Sequence, residues 1–148
     1  MSQNAGQKLA ELAPKIMGAF HDLGQQHPKG ERLSMRQFQA LIIVHTNSKL
    51  TLKIFCEKLA LAPSTGTELA NRMIDLGFFS KDGEEPDRRQ AFLTVTPKGL
   101  ELMQTRQGAM ADMFAHFLEP YTDEDRVQFV ESFEAIWDLI ARYKSKKK

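Results

Sequence analysis

Apolar residues recur every three or four positions near the N-terminus, and this spacing predicts an amphipathic helix. Its apolar face is formed by Leu9, Leu12, Ile16, Phe20 and Leu23. Pro14 falls inside the pattern, and an interior proline clashes with the preceding turn and removes one hydrogen bond. We therefore expect the helix either to begin near Ala13 or to be kinked there, and to end at Gly24.

Two shorter helices are predicted next, each with a residue suited to cap its first turn. Ser34 and Gln37 have the spacing of a capping box, in which the side chain of each residue bonds the backbone N–H of the other. Thr51 can accept a hydrogen bond at the start of the following helix. This pattern predicts that His45 is packed or hydrogen-bonded near the core. The apolar faces of the two helices are Phe38, Leu41, Ile42 and His45, and then Leu52, Phe55, Cys56 and Leu59.

A tight turn at the segment LALAP (59–63) leads into a fourth helix that begins at Pro63. Proline suits the first helical position because the N–H that it lacks would have no partner there. Leu69, Met73 and Leu76 form the inner face, and Gly77 supplies the C-terminal stop. Two strands, at 78–81 and 91–96, then bracket a charged loop, and the second of them alternates clearly between apolar and polar residues.

Two long helices follow. Thr96 can cap the fifth, which is expected to end at Pro120, and Thr122 can cap the sixth, whose acidic first turn suits the positive end of a helix dipole. Such an apolar helix needs burial on two sides, and the simplest second covering surface is another copy of the chain. The apolar residues of the sixth helix cover more than one narrow stripe: Phe129, Val130, Phe133, Ile136, Trp137 and Ile140.

The third and fourth helices have the form of a helix-turn-helix, and the two strands after them have the form of a wing. In this motif the second helix lies in the major groove, and its N-terminal residues meet the base edges. Hydroxyl groups can reach phosphates or bases, asparagine can pair with adenine, and arginine can bind guanine or phosphate. The alternative is an ordinary surface helix whose serine and threonines cap its first turn. The candidate DNA-binding residues of this helix are Pro63, Ser64, Thr65, Thr67, Asn71 and Arg72.

Residues 33–103 resemble the MarR family of winged-helix transcriptional regulators. The resemblance rests on four segments: FCEKLALAPSTGT (55–67), MIDLGF (73–78), DRR (87–89) and LTVTPKG (93–99). It implies a fold that is mainly α with a small β-hairpin wing. The implied regions are an N-terminal dimerisation arm (1–32), a winged helix-turn-helix region (33–99), and C-terminal dimerisation helices with a basic tail (100–148). It also implies a homodimeric repressor that binds double-stranded DNA at a pseudo-palindromic operator.

The same resemblance implies roles for the residues of the wing. Arg89 matches the arginine that enters the minor groove, where the negative potential attracts it. Asp87 matches the acid that orients this arginine through a charge-assisted hydrogen bond, and Arg88 is expected to contact the DNA backbone. The alternative for the segment DRR is a solvated turn whose exposed ion pairs contribute little.

Two positions depart from the family pattern, and the charge balance lowers the expected DNA affinity. Gly66 replaces a small or branched apolar residue, which suggests either a close approach to the third helix or a mobile recognition helix. Ala62 stands where a serine cap is usual. Between positions 53 and 98 the acidic residues are as numerous as the basic ones, so phosphate neutralisation should be modest. This balance favours an alternative in which the winged helix docks a partner protein.

Length and composition change this picture little. With 148 residues, of which 42% are hydrophobic, the chain is long enough for one domain with a packed core. One cysteine excludes an intrachain disulfide, and no apolar run approaches the roughly 18 residues of a membrane span. The N-terminus lacks the pattern of a secretory signal. We therefore expect a cytoplasmic protein that does not associate with membranes.

Regulators of this family usually respond to a small molecule or an oxidant, so the resemblance implies a small-molecule effector. Cys56 lies on an apolar helix face, which favours a buried hydrophobe over a reactive thiol. Asp112 and His116 are four residues apart and could share a metal ion, which leaves a metal-responsive regulator as an alternative. No cofactor is predicted. The sequence has no catalytic triad order and no glycine-rich phosphate loop, which argues against an enzyme.

Overall fold

The computed structural model describes residues 2–25, 33–82 and 91–146. Within these ranges the chain forms six helices and a small antiparallel sheet, so the prediction of a mainly α fold with a β-hairpin is confirmed. The helices are α1 (Ser2–Gln25), α2 (Met35–Thr46), α3 (Leu52–Leu59), α4 (Pro63–Asp75), α5 (Pro97–Leu118) and α6 (Asp123–Lys146). The strands are β1 (Leu50–Thr51), β2 (Phe79–Asp82) and β3 (Phe92–Val95).

The sheet has the strand order β1-β3-β2. In β2 and β3 the register pairs Phe79 with Val95 and Asp82 with Phe92, so the two predicted strands form an antiparallel hairpin. The third strand, β1, pairs Leu50 with Leu93 and was not predicted. Two residues are too few to show the apolar–polar alternation by which a strand is recognised in a sequence.

All four predicted capping residues accept the expected backbone hydrogen bond. Ser34 and Gln37 form the complete capping box at the start of α2. These bonds satisfy N–H groups in the first turn that have no partner within the helix. The oxygen atoms and their donors are Ser34 Oγ and Gln37 N at 3.1 Å, Thr51 Oγ1 and Ile54 N at 3.2 Å, Thr96 Oγ1 and Gly99 N at 3.0 Å, and Thr122 Oγ1 and Asp125 N at 3.1 Å.

The structure corrects expectations about the first helices. The helix α1 begins at Ser2 and includes Pro14, so the alternative of a start near Ala13 is wrong. It ends at Gln25, one residue beyond the expected end at Gly24. Good helix formers before the proline continue the helix, and the proline itself removes only one donor. His45 is exposed, and its neighbour Val44 is fully buried instead. His45 lies in the last turn of α2, beyond the last of the buried residues of this helix, so the packed part of α2 ends at Val44.

The chain divides into two compact units, one formed by Met1–Leu23 with Ala111–Lys148 and the other by Gly24–Met110. The core of the second unit is contributed by α2, α3, α4 and the sheet. The rings of Phe55 and Phe79 meet edge to face there, with 5.9 Å between centroids. The largest fully buried side chains are Leu41, Val44, Phe55, Met73 and Leu93.

The first unit is built around a cluster of phenylalanine rings from three helices. Phe20 of α1, Phe114 of α5, and Phe129 and Phe133 of α6 have ring centroids between 5.2 and 6.4 Å apart. Much of the remaining apolar surface of α1 and α6 is exposed. Across the described ranges, no helix combines the length and the apolar character that crossing a membrane requires.

Candidate nucleic-acid interface

The turn between α3 and α4 is fixed by backbone hydrogen bonds. Ala60 adopts the left-handed conformation with φ of +55°, and the N–H of Leu61 donates to the Cys56 carbonyl at 3.0 Å. Arg36 of α2 donates through Nη1 to the carbonyl of Leu59 at 3.3 Å. These bonds satisfy the last carbonyls of α3 and end the helix sharply, so α4 begins four residues after α3 ends, at Pro63.

The outer surface of α4 carries most of the side chains that the sequence singled out. Ser64, Thr65, Asn71 and Arg72 are exposed, as is Pro63 at the first helical position. Positions 64, 65, 71 and 72 lie on one side of a helix with 3.6 residues per turn. The structure therefore brings four polar candidates to one exposed face of α4, and two of them, Ser64 and Thr65, lie next to the turn from α3.

Thr67 differs from the other candidates on α4. It is only half-exposed, and its Oγ1 donates a hydrogen bond of 2.7 Å to the carbonyl of Pro63. A threonine hydroxyl has one proton to donate, so in this arrangement Thr67 can only accept a hydrogen bond from another group.

Two acids share the outer face of α4 with these candidates. Glu68 and Asp75 are exposed, and their positions place them between Ser64 and Arg72 around the helix. Their charge opposes that of a phosphate backbone, so the face carries both attractive and repulsive groups. The sequence indicated equal numbers of acidic and basic residues between positions 53 and 98, and the structure shows that two of these acids lie on the outer face of α4.

The inner face of α4 makes an unusually close contact with α3. Gly66 is buried, and a Cβ atom placed on it would overlap Cys56 Sγ and lie 3.2 Å from Cys56 Cβ. The sequence left two explanations for Gly66, a close approach to α3 or a mobile helix. The structure confirms the close approach. Cys56 is 6% exposed, which confirms that it is a buried hydrophobe. Burial, and then the charge of Glu57, raise the pKa of its thiol.

The C-terminal end of α4 is bonded to the start of α5. Lys98 Nζ donates to the carbonyl of Leu76 at 3.1 Å, and Thr96 Oγ1 donates to the carbonyl of Gly77 at 2.6 Å. The N–H of Thr96 donates to the carbonyl of Phe78 at 3.0 Å. Three consecutive carbonyls after the recognition helix are thus satisfied by the segment LTVTPKG, for which the sequence had indicated only a cap.

The tip of the predicted wing, with Asp87, Arg88 and Arg89, lies outside the described residues. At the base of the hairpin, the sequence reading missed one basic residue. Lys49 is exposed, and its Nζ lies 4.5 Å from the centre of the Phe92 ring on β3. Its only signal in the sequence is a basic side chain in the short loop before β1.

The structure does not support the metal-responsive alternative. Among the residues that it describes, no group of three potential metal ligands comes together. Asp112 and His116 are both exposed on α5, and His116 Nδ1 lies 3.5 Å from a carboxylate oxygen of Glu119. A structural metal site normally needs four ligands and a catalytic one three, so this pair lacks the further ligands that either would require.

The arrangement of a helix-turn-helix, a β-hairpin and flanking long helices is a winged helix-turn-helix fold. No protein-family model matches the sequence, and no curated protein matches it either. Solved structures, however, share the fold over nearly the whole chain. A MarR family protein from Bacillus stearothermophilus has a TM-score of 0.76 and 22% identity, covering 95% of this chain and 99% of that one.

Two further solved structures, of named regulators, share the fold. BpsR from Bordetella bronchiseptica, whose DNA binding is regulated by 6-hydroxynicotinic acid, has a TM-score of 0.66 and 18% identity, covering 88% of this chain and 93% of its own. The PcaV transcriptional regulator from Streptomyces coelicolor, in complex with its natural ligand, has a TM-score of 0.64 and 22% identity, covering 87% and 91%. The predicted MarR-like winged-helix fold is thereby confirmed.

Proposed function

We propose that this chain is a transcriptional regulator that binds double-stranded DNA as a homodimer and represses transcription from a pseudo-palindromic operator. The observation that carries the proposal is the exposed polar face of α4, the second helix of a helix-turn-helix. Ser64 and Thr65 lie in its first turn, the part of the motif that meets base edges in the major groove. Asn71 and Arg72 continue the same face toward the C-terminal end of the helix.

Each of the four polar candidates on this face can bind a group on DNA. The hydroxyls of Ser64 and Thr65 can donate to phosphate oxygens or to bases, and the Asn71 amide can pair with adenine. Arg72 can form two parallel hydrogen bonds to guanine or bind a phosphate. In the wing, we propose that Arg89 enters the minor groove, that Asp87 orients it, and that Arg88 contacts the backbone.

The dimer is proposed from the exposed apolar surface of the first unit. An apolar surface of this extent on one unit is typical of a protein interface. A twofold dimer would place two recognition helices about 34–36 Å apart, for half-sites one DNA turn apart. The exposed apolar residues are Leu9, Leu12, Ile16 and Met17 on α1, and Val127, Val130, Phe133, Ile136, Trp137, Leu139, Ile140 and Tyr143 on α6.

A selection from random duplexes tests the central proposal. The purified chain should enrich one sequence and bind it about 10³-fold or more tightly than a random duplex of equal length. Arg72→Ala should weaken this binding by about 10-fold or more. Arg142→Ala removes an exposed arginine near the end of α6 and should leave the affinity unchanged. If no sequence binds better than the random duplex, the proposed function is wrong.

The effector is proposed to be a small organic molecule. BpsR, whose DNA binding is regulated by 6-hydroxynicotinic acid, and PcaV, which was solved with its natural ligand, share the fold. The first compound to test is 6-hydroxynicotinic acid, added to the chain bound to its selected fluorescent duplex. Release of the duplex at a concentration that leaves a random duplex unaffected would support this effector, and unchanged anisotropy would exclude it.

A second candidate function is the docking of a partner protein through the winged helix. It is favoured by the acids Glu68 and Asp75 on the outer face of α4. Salt dependence separates the two functions, because each phosphate contact contributes a slope of about −0.9 to the logarithm of the affinity against that of the salt concentration. For DNA binding, Arg89→Ala should remove much of the affinity and make this slope shallower by about one. A partner protein would give a much weaker dependence.

A further inference from the structure

Nothing in the backbone at position 66 requires a glycine. Gly66 lies within the regular part of α4, and it is not among the residues with a positive φ. Glycine is among the least favourable residues in a helix interior, where alanine would be preferred. What excludes alanine is a side chain of α3, because a Cβ atom at position 66 would overlap Cys56 Sγ.

This contact lies under the N-terminal end of the recognition helix. The buried residues of α4 are Gly66, Ala70 and Met73, so Gly66 is the first point at which the helix meets the core. Ala62, at the N-cap, makes no side-chain hydrogen bond to the first turn. The position of this turn therefore depends on the packing at Gly66, and Ser64 lies only two residues away.

We infer that Gly66 is a positioning residue, whose contact with Cys56 sets the distance between α3 and α4 and thereby the specificity of DNA recognition. The inference rests on the proposed function. Rotation of Cys56 Sγ can relieve its overlap with a new Cβ, but that Cβ would still lie 3.2 Å from Cys56 Cβ, closer than the roughly 3.5–4.0 Å at which carbon atoms pack. Alanine at position 66 should therefore shift the N-terminal end of α4 away from α3 by a few tenths of an ångström or more. Hydrogen bonds to bases span only about 2.7–3.2 Å, so such a shift weakens them.

The same shift should have little effect on non-specific binding. Lysine and arginine contacts with phosphates depend on charge and on long flexible side chains, which follow small movements of the backbone. The contact between Gly66 and Cys56 should therefore govern the ratio of specific to non-specific affinity. A residue that only stabilises the fold would change the folded fraction and leave this ratio unaltered.

The test adds an atom at one residue of the contact and removes an atom at the other, in the 148-residue chain. Gly66→Ala adds a carbon against the sulfur, and Cys56→Ala removes the sulfur. The double variant combines both, so that the new Cβ occupies the space that Sγ has left. Gly108→Ala is the matched control, because Gly108 is also helical and a Cβ there would meet nothing within 4 Å.

Fluorescence anisotropy then gives the affinity for two duplexes, the one that the wild-type chain selects from a random pool and a random-sequence duplex of the same length. For Gly66→Ala, the ratio of the two affinities should fall by about 10-fold or more, while binding to the random duplex stays within about twofold. Cys56→Ala should lower the ratio a few-fold. The double variant should return to within about threefold of the wild-type ratio, and Gly108→Ala should match the wild-type chain.

A wild-type ratio in Gly66→Ala, or a double variant as impaired as Gly66→Ala, would overturn the inference. If circular dichroism shows that Gly66→Ala is unfolded, the double variant is compared with Cys56→Ala instead. A double variant with a higher ratio than Cys56→Ala then supports the inference, and an equal or lower ratio overturns it. If the wild-type chain selects no duplex, the proposed function fails and the inference fails with it, whereas selection without an effect of Gly66→Ala overturns the inference alone.

Discussion

Cys56 shows how burial changes the chemistry of a single residue. Its side chain is 6% exposed between α3 and α4, where water cannot solvate a thiolate. Desolvation first, and the nearby charge of Glu57 second, raise the pKa of the thiol above its ordinary value of 9.0. A protonated thiol is a poor nucleophile, so this cysteine acts as a packing group at neutral pH.

The raised pKa of Cys56 predicts a stability that falls with pH. Below the thiol's unfolded pKa both states keep the proton, so the contribution of Cys56 does not change. As the pH rises above that value, the unfolded chain loses the proton while the folded chain keeps it, and the free energy of unfolding decreases. Urea denaturation at pH 7 and pH 10 should show a larger decrease for the wild-type chain than for Cys56→Ala. An equal decrease would contradict this prediction.

Residue patterns in the sequence were informative where the interaction is local. Ser34 and Thr51 were recognised as caps because the bonds that they accept come from N–H groups three residues away. Gly66 was recognised as unusual, but the atom that requires it belongs to another helix, so the sequence could not distinguish close packing from mobility. The exposure of His45 was missed for a related reason, since the direction of the core depends on the neighbouring helices.

Among the secondary-structure elements, the end of α4 and the start of α5 are connected by several hydrogen bonds. Thr96 accepts a hydrogen bond from the Gly99 N–H and also donates to the carbonyl of Gly77. A Cβ atom on Gly99 would overlap the Phe78 carbonyl oxygen, so the chain approaches the end of the recognition helix as closely as glycine allows. One side chain thus both caps α5 and satisfies a carbonyl that follows α4.

Replacing Thr96 should therefore destabilise the chain more than removing a cap alone. Thr96→Val keeps the shape of the side chain and removes both hydrogen bonds, which should lower the free energy of unfolding by about 2 kcal/mol. Thr51→Val is the control, because the recorded hydrogen bond of the Thr51 hydroxyl is the cap to Ile54, and it should cost about 1 kcal/mol. Urea denaturation followed by circular dichroism measures both. Equal losses would show that the bond to Gly77 contributes nothing.

At the scale of the whole molecule, the sequence predicted the six helices, the β-hairpin, the winged helix-turn-helix and the outer face of α4, but not the strand β1. These follow from periodicity and from short motifs such as LTVTPKG. The three carbonyls bonded by Thr96 and Lys98 could not be predicted, because they depend on how the end of α4 meets the start of α5. The roles of Asp87, Arg88 and Arg89 stay predictions from the family resemblance.

The exposed apolar surface of α6 gives a direct test of the proposed dimer. Trp137 is 59% exposed in the single chain, and an indole ring is among the largest apolar groups that an interface can bury. Trp137→Glu places a charge on this surface, so it should raise the dissociation constant of the dimer by about 10- to 100-fold. Light scattering should then report a mass near 16.8 kDa for the variant and twice that mass for the wild-type chain.

Arg142→Glu is the matched control for this variant. Arg142 is also exposed on α6, but five residues along a helix correspond to a rotation of about 140°, so the new carboxylate falls on the side that already carries Glu131 and Asp138. This variant should remain dimeric and keep the wild-type affinity for the selected duplex. Trp137→Glu should bind that duplex more weakly, because a monomer loses the second half-site. If Trp137→Glu remained a dimer, or if the wild-type chain were monomeric, α6 would not form the dimer interface.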